Sequence, residues 1–234
     1  MSSHPRAICI TGTSRGIGRN LASTFLERGW IVFGCSRAPS DLEHTNYQHF
    51  GVDVADEALV VGMFNAIRQR GGALYALINN AGVASMNHAL TTPMATMERL
   101  LRINAIGTML CCREAAKQML QHRSGRIINF ASVAVALGLE GESAYVASKA
   151  AVVAYTRVLA RELGSKGITV NAVAPNPIKT DLIAGVPEEK LDRLVGQQIV
   201  PRYGTVPDVL RVVDFFLDPG NDLVSGQVIY LGGF

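Results

Sequence analysis

The feature that most constrains this chain is a buried-strand pattern that ends at Ser132 and is followed by a helical pattern carrying Tyr145 and Lys149. Residues 126–132 form a short apolar run preceded by a glycine, which is typical of a strand buried on both faces of a parallel sheet. Ser132 lies at the predicted end of that strand. The residues around Tyr145 are rich in alanine and have apolar side chains at helical spacing, which predicts a helix.

Tyr145 and Lys149 lie on one face of the predicted helix because they are four residues apart. A phenol has an ordinary pKa of about 10, and a lysine ammonium one turn away favours the phenolate, so we expect a lowered pKa for Tyr145. The hydroxyl of Ser132 could hydrogen-bond a substrate carbonyl oxygen and hold it against the phenol. The alternative is an ordinary helix surface, but the strand-end serine 13 residues earlier favours a catalytic site.

A glycine-rich turn follows the first apolar run of the chain. Residues 6–11 predict a strand, glycines stand at positions 12, 16 and 18, and a helical pattern continues to residue 29. Strand, glycine-rich turn and helix open a dinucleotide-binding unit, in which small residues let the backbone approach a pyrophosphate at the helix N-terminus. Three glycines are weak evidence alone, and their position directly after the first strand strengthens it.

The second predicted strand, residues 30–36, is followed directly by Arg37. In a dinucleotide fold an acidic residue at this point binds the ribose 2′-hydroxyl of NAD. The nearest acid is Asp41, and Arg37 together with Arg15 of the glycine turn could instead hold the 2′-phosphate of NADP. The alternative is two solvated arginines.

Strand and helix patterns alternate along the 234 residues. They predict a single α/β domain, a Rossmann-type doubly wound parallel sheet of about seven strands with helices on both faces. A long helical pattern over residues 94–122, with a break expected near Gly107, carries Asn104 in its middle, where a buried hydrogen-bonding role is expected. Residues 181–200 are polar and punctuated by glycine and proline, and we expect a mobile segment that covers the substrate.

Charge and composition argue against several other classes of function. The formal net charge is +3 with no run of Lys or Arg, so nucleic acid is not an expected partner. No apolar run approaches the ~18 residues of a membrane helix, so no membrane partner is expected. The four cysteines have no metal-ligand spacing, so no metal site is expected, and they are interpreted as core residues of a protein in the reducing cytoplasm.

Together these motifs resemble those of the short-chain dehydrogenase/reductase family, over essentially the whole chain. The family's Thr-Gly-x-x-x-Gly-x-Gly stands at residues 11–18 and its Asn-Asn-Ala-Gly at residues 79–82. Its catalytic residues match Asn104, Ser132, Tyr145 and Lys149.

The resemblance implies a role for each of these four side chains in carbonyl reduction. Tyr145 is the implied general acid, and Ser132 orients the substrate oxygen. Lys149 lowers the tyrosine pKa and holds the nicotinamide ribose, while Asn104 positions a water for proton relay.

The resemblance also implies NADP(H) as the cofactor. Asp53 would contact the adenine, and Ile178 and Thr180 the nicotinamide amide. The full set of implied cofactor residues is Gly12, Ser14, Arg15, Gly16, Ile17, Gly18, Arg37, Asp53, Val54, Asn80, Ala81, Gly82, Tyr145, Lys149, Pro175, Ile178 and Thr180. Asn176 departs from the family, which has a glycine after Pro175, and asparagine is expected to tolerate the left-handed backbone that a glycine can hold.

Within the family the chain most resembles the 3-oxoacyl-[acyl-carrier-protein] reductases, through residues 161–171 and 201–204 among others. In those enzymes two basic residues near the active-site mouth dock the acidic carrier protein, and they align with Arg123 and Lys166. The alternative is that both are ordinary solvated charges. The resemblance further implies a homo-oligomer, either a tetramer or a dimer.

Three functions are therefore open. The first is NADPH-dependent reduction of a 3-oxoacyl thioester on acyl carrier protein, in fatty-acid or polyketide-like synthesis. The second is an NADP-dependent dehydrogenase of a free small alcohol or ketone. The third is a non-catalytic NADP-binding protein, which retention of all four catalytic residues argues against.

Overall fold

The computed structural model describes residues 6–70 and 73–233, and parallel strands form its central layer. The strands are β1 (Ala7–Thr11), β2 (Ile31–Ser36), β3 (Tyr47–Gly51), β4 (Leu74–Asn79), β5 (Gly125–Phe130), β6 (Ile168–Ala174) and β7 (Val228–Tyr230). Within the described residues they make one seven-stranded sheet in the order β3-β2-β1-β4-β5-β6-β7. The expected Rossmann-type sheet is confirmed.

Helices connect the strands and cover both faces of the sheet. They are α1 (Gly16–Glu27), α2 (Glu57–Gln69), α3 (Met94–Leu100), α4 (Gly107–His122), α5 (Ala134–Leu137), α6 (Ser143–Leu163), α7 (Glu188–Gly196) and α8 (Val206–Leu217). Short 3-10 turns occupy Ala89–Thr91, Gly164–Lys166 and Pro219–Asn221.

Alternation of side chains along the strands builds two apolar layers. Cys9, Leu77 and Ile127 pack with α2, α4 and α6 on one face, whereas Ile8 and Ile128 pack with α1 and α8 on the other. Each fully buried side chain of this size contributes about 1.5–3 kcal/mol. Strands with both faces covered read as continuous apolar runs, which is why the sequence located them well.

All four cysteines are buried, fully reduced members of these layers. In residues 6–70 and 73–233 there is no group of three or more metal-ligating side chains placed to hold an ion. The same ranges contain no helix with the length and hydropathy needed to cross a bilayer.

The strand order reverses beside β1, which has β2 on one side and β4 on the other. At such a point the loops that follow neighbouring parallel strands diverge and leave a crevice at their carboxyl ends, where ligands bind in this class of fold. The glycine turn after β1 and the Asn80–Gly82 segment after β4 border this crevice.

Two segments contain structure that the sequence did not predict. The long pattern over residues 94–122 is broken beside Gly107, as expected, but the break is a π-helical segment, Leu101–Ile106, that separates α3 from α4. Such π segments occur often at functional sites, and this one contains Asn104. Residues 181–200, for which no helix was predicted, contain α7, a helix preceded by Pro187 and carrying acidic residues in its first turn.

Candidate active site

A cavity of about 370 Å³ opens at the carboxyl ends of β5 and β6. Ser132, Tyr145 and Lys149 all line it, as the sequence predicted. Tyr145 is 8% exposed and Lys149 6% exposed, because α6 packs this face against the ends of the strands. The structure therefore brings the three side chains together in a largely buried site.

Burial sets the acidity of Tyr145 in the protein alone. It raises the pKa of Tyr145 to about 12, although a hydrogen bond with the Ser132 side chain acts in the opposite direction. The Nζ of Lys149 donates to the carbonyl oxygen of Phe130 at 2.8 Å, and burial lowers the pKa of Lys149 to about 8. The expectation of a lowered tyrosine pKa is wrong for this structure, because desolvation dominates both groups. At neutral pH Tyr145 is a neutral phenol, which is the form that can donate a proton.

Asn104 is fully buried and its side chain is engaged by protein groups. Its Nδ2 donates to Val83 O and to Ser148 Oγ, both at 2.9 Å, and its Oδ1 accepts from Val83 N at 2.8 Å. Ser148 Oγ in turn donates to Tyr145 O at 2.7 Å. Asn104 thus joins the segment after β4 to the turn of α6 that carries the tyrosine. The expected buried hydrogen-bonding role is confirmed, and water positioning stays a prediction.

A second cavity of about 780 Å³ extends from this site along the crevice beside β1. The close backbone approach there depends on missing side chains, since a Cβ on Gly12 would lie 2.8 Å from Asn80 Nδ2, and one on Gly18 would overlap Gly12 O. Gly16 has φ +60°, a conformation that glycine adopts at little cost. Asn80 Nδ2 fixes the turn by donating to Thr11 O at 2.9 Å. An elongated cleft walled by such a turn fits a dinucleotide.

The predicted cofactor residues are distributed along both cavities. Lining the long cleft are Gly12, Ser14, Arg15, Gly16, Ile17, Arg37, Asp53, Val54, Asn80, Ala81, Gly82 and Thr180. Gly18 lies under the turn, and Pro175 and Ile178 line the smaller cavity with Tyr145 and Lys149. Ile17, Asn80, Gly82 and Thr180 border both cavities. Together these groups fit a nicotinamide dinucleotide whose reactive end would lie where the two cavities meet.

The two arginines predicted to select the cofactor both line the long cleft and are exposed. Arg37 follows β2 at the rim. Arg15 Nη1 contacts Asp181 Oδ2 at 3.3 Å, with the two side chains 75% and 67% exposed. Because an exposed pair of this kind is worth little, the contact leaves Arg15 available to a phosphate.

Asn176 does not use the left-handed backbone that asparagine is expected to tolerate. Among the described residues, Arg123 is the sole non-glycine position with positive φ. Asn176 is 7% exposed, and its Nδ2 donates to Gln198 Oε1 at 2.8 Å and to Arg202 O at 3.0 Å. A Cβ on Gly204 would overlap Asn176 Oδ1, so a glycine there makes room for the amide. The side chain ties the loop after β6 to the chain that follows α7.

Sequence reasoning missed two features of the smaller cavity. Gln198, the partner of Asn176, is 5% exposed and carries no motif. Glu142 precedes Tyr145 by one helical turn and lines the cavity, and burial raises its pKa while Lys190 lowers it. The sequence contained a signal for Glu142, because a residue about one helical turn before Tyr145 lies on the same helix face.

Apolar side chains of residues 182–194 close the outer wall of this cavity, among them Leu182, Ile183, Val186, Leu191 and Leu194. Their position fits the covering role expected of residues 181–200.

Arg123 and Lys166 lie together, but at the other edge of the sheet. Arg123 follows α4, Lys166 follows α6, and Arg123 Nη2 donates to Ser165 O at 3.2 Å. Both precede the amino ends of β5 and β6, whereas Tyr145 lies at the carboxyl ends. A strand of six residues spans roughly 20 Å, so the expectation that these charges flank the mouth of their own active site is wrong.

A family model for the short chain dehydrogenases matches residues 6–191. The chain therefore belongs to the short-chain dehydrogenase/reductase family, an oxidoreductase family. The parallel sheet, the glycine turn and the tyrosine-lysine helix described above are all within or beside the matched range.

Individual relatives cover nearly the whole chain. The 3-oxoacyl-[acyl-carrier-protein] reductase FabG of Staphylococcus aureus (strain Mu50 / ATCC 700699) is 34% identical over 238 residues, covering 97% of this chain and 97% of that protein. A short-chain type dehydrogenase/reductase of Picea abies is 34% identical, covering 97% and 91%. Among solved structures, ElxO with NADP bound (TM-score 0.89, 97% of each chain) and levodione reductase (TM-score 0.90, 97% and 96%) are each 28% identical.

Proposed function

We propose that the protein reduces a 3-oxoacyl thioester to the 3-hydroxyacyl product with NADPH, the acyl chain being carried by acyl carrier protein in fatty-acid or polyketide-like synthesis. The observation that carries the reductase assignment is the position of Tyr145, beside Ser132 in an apolar cavity that shares lining residues with a dinucleotide-sized cleft. The 34% identity with the staphylococcal enzyme supports the substrate class.

Three side chains of the protein have distinct roles in the proposed carbonyl reduction. When bound, NADPH supplies the hydride. The Ser132 hydroxyl orients the carbonyl oxygen by hydrogen bonding, and the neutral phenol of Tyr145 donates its proton to that oxygen as negative charge develops. The ammonium of Lys149, held against Phe130 O at 2.8 Å, stabilises the phenolate that the transfer leaves behind.

Arg15 and Arg37 would select NADPH over NADH. If each pairs with the 2′-phosphate at roughly 1.5–3 kcal/mol, the preference reaches about one to several orders of magnitude. The ElxO structures, one with NADP and one with NADPH bound, support a phosphorylated cofactor for a protein of this shape. Asp53 and Val54 would border the adenine, and Thr180 and Ile178 the nicotinamide amide.

Docking of the carrier depends on assembly in this proposal. Arg123 and Lys166 would attract an acidic carrier protein and raise its association rate. Since they lie at the amino edge of the sheet, such a carrier reaches an active site only if a second copy of the chain brings its own site close to them. We therefore propose a homo-oligomer, a tetramer or a dimer, acting in the cytoplasm.

The test compares NADPH oxidation with acetoacetyl groups on acyl carrier protein, on coenzyme A and as a free ester. The same assay is repeated with Arg123→Glu and Lys166→Glu, singly and together. A preference for the carrier-bound substrate that is lost in the double variant supports both the substrate and the docking surface. Equal rates with all three substrates refute docking, and no turnover of any of them, in protein that binds NADPH, refutes the thioester assignment.

The second candidate is an NADP-dependent dehydrogenase of a free small alcohol or ketone. It is favoured by the cavity itself, which at about 370 Å³ suits a small molecule and is closed by apolar side chains of residues 182–194. Levodione reductase, at 28% identity and TM-score 0.90, is a structural relative that is named for reduction of a small molecule. Turnover of levodione or another free ketone without turnover of any acetoacetyl thioester would favour this candidate.

A further inference from the structure

A hydrogen-bonded network of polar groups adjoins the part of the cleft that is lined by Arg37. It starts at Thr13 in the glycine turn, passes through Tyr47 and His49 on β3, and ends at Ser36 and Ala38. These last two residues flank Arg37 on either side. This hydrogen-bonded network therefore connects the glycine turn, which carries Arg15, to the loop after β2, which carries Arg37.

Each contact in this hydrogen-bonded network is of hydrogen-bond length. Tyr47 Oη lies 3.0 Å from Thr13 Oγ1 and 3.0 Å from His49 Nδ1. His49 Nε2 lies 3.1 Å from Ala38 O and 3.2 Å from Ser36 Oγ. Because a carbonyl oxygen only accepts, the Nε2 of His49 carries a hydrogen and donates it to Ala38.

The loop around Arg37 is closed on itself by the same groups. Ser36 Oγ donates to Ala38 O at 2.7 Å, so the histidine, the serine hydroxyl and the carbonyl meet at one point. This holds the residues on both sides of Arg37 at fixed positions. Arg37 itself is exposed and directly follows Ser36, the last residue of β2.

The hydrogen-bonded network crosses β2 at Gly34, where the absence of a side chain leaves room for it. A Cβ on Gly34 would overlap Tyr47 Oη and would lie 2.5 Å from Thr13 Oγ1. The tyrosine hydroxyl can therefore reach the glycine turn only because position 34 has no side chain. Thr13 is fully buried at the end of this route, so its hydroxyl depends on protein partners.

We propose that Tyr47 and His49 are positioning residues for cofactor selection, which hold the Ser36–Ala38 loop so that Arg37 is preorganised for the 2′-phosphate of NADP(H). This proposal rests on the proposed preference for NADPH. A loop fixed before binding loses less conformational freedom when the phosphate arrives. NADH has no 2′-phosphate to pair with Arg37, so the affinity of the protein for NADH does not depend on this hydrogen-bonded network.

The test measures dissociation constants of NADPH and NADH by fluorescence titration, with no substrate present. Tyr47→Phe removes the hydroxyl that joins Thr13 to His49, and His49→Ala removes the donor to Ala38. We expect each to weaken NADPH binding about tenfold, a change of the size expected for loss of one or two preorganised groups, and to change NADH binding less than twofold. His49→Gln keeps an amide N–H near the position of Nε2 and should restore most of the NADPH affinity.

His122→Ala and His122→Gln are matched controls, since His122 is an exposed histidine at the end of α4, on the opposite edge of the sheet. Neither should change either constant. Equal weakening of NADPH and NADH in the His49 variants, or no change in either, would overturn the proposal. A wild-type protein with no preference for NADPH would refute the cofactor assignment instead, and a preference that the variants retain would refute the positioning role alone.

Discussion

Replacing Lys149 by methionine should abolish activity and leave the protein at neutral pH as stable as the wild type or more so. Burial lowers the pKa of the Lys149 ammonium from 10.5 to about 8. At 1.36 kcal/mol for each pKa unit, the folded protein carries about 3 kcal/mol of unfavourable charge burial while the lysine is protonated. Methionine removes the charge with little change in length, but it leaves the Phe130 carbonyl oxygen without its donor, which costs about 1–3 kcal/mol.

The pH dependence of stability separates these two contributions. Between pH 8 and pH 10.5 the unfolded chain keeps the Lys149 proton and the folded protein does not. The unfolded state therefore binds more protons, and the stability of the wild type rises with pH across this window. The advantage of Lys149→Met should be largest at pH 7 and fall by about 3 kcal/mol towards pH 10.5, whereas the cost at Phe130 is independent of pH.

Urea unfolding followed by circular dichroism, from pH 7 to pH 10 at intervals, measures this difference. Lys117→Met is the control for loss of a positive charge, because that side chain is 61% exposed on α4. An advantage of Lys149→Met that stays constant or grows with pH would refute the reasoning that desolvation dominates this lysine. Retained activity in the variant would refute its role beside Tyr145.

Three further substitutions test the site. Tyr145→Phe should lower the rate of NADPH oxidation by about 10²–10⁴-fold, the usual contribution of a general acid, while NADPH binding measured by fluorescence stays within twofold; substantial residual turnover would contradict the assignment. Arg37→Ala should raise the dissociation constant of NADPH by about tenfold or more and leave that of NADH unchanged, so parallel changes in both would remove the arginine from the 2′-phosphate site. Asn176→Asp keeps the shape of the side chain but loses both donated hydrogen bonds, and should lower the free energy of unfolding in urea by about 1–3 kcal/mol and raise KM for the substrate more than it lowers kcat; wild-type values of both would show that the tie to Gln198 and Arg202 is dispensable.

The architecture and the grouping of the candidate site residues could be predicted because they depend on local patterns. Strands such as β5 and β6 are buried on both faces, so their sequences are continuous apolar runs with glycine boundaries. The Tyr145 to Lys149 spacing fixes a shared helix face through geometry alone. The family model matches residues 6–191, a range that contains these motifs.

Acidity could not be predicted, because it depends on what surrounds a group in space. The sequence showed a lysine one turn from a tyrosine, which predicts attraction and a lowered tyrosine pKa. The fold buries both side chains, and desolvation then raises the pKa of Tyr145 to about 12 and lowers that of Lys149 to about 8. The expected position of Arg123 and Lys166 was wrong for a related reason. Alignment with relatives matches residues along the sequence, but it does not show at which edge of the sheet they lie.

The sequence by itself determined the class of fold, the glycine turn and the shared helix face of Tyr145 and Lys149, because each is encoded by residues close together in the chain. Only the tertiary structure decided how distant residues meet. Asn176 reaches Gln198 across 22 residues, and Thr13 meets Tyr47 across 34. Such contacts have no period in the sequence, since they arise where the carboxyl ends of separate strands and the segments after them pack together.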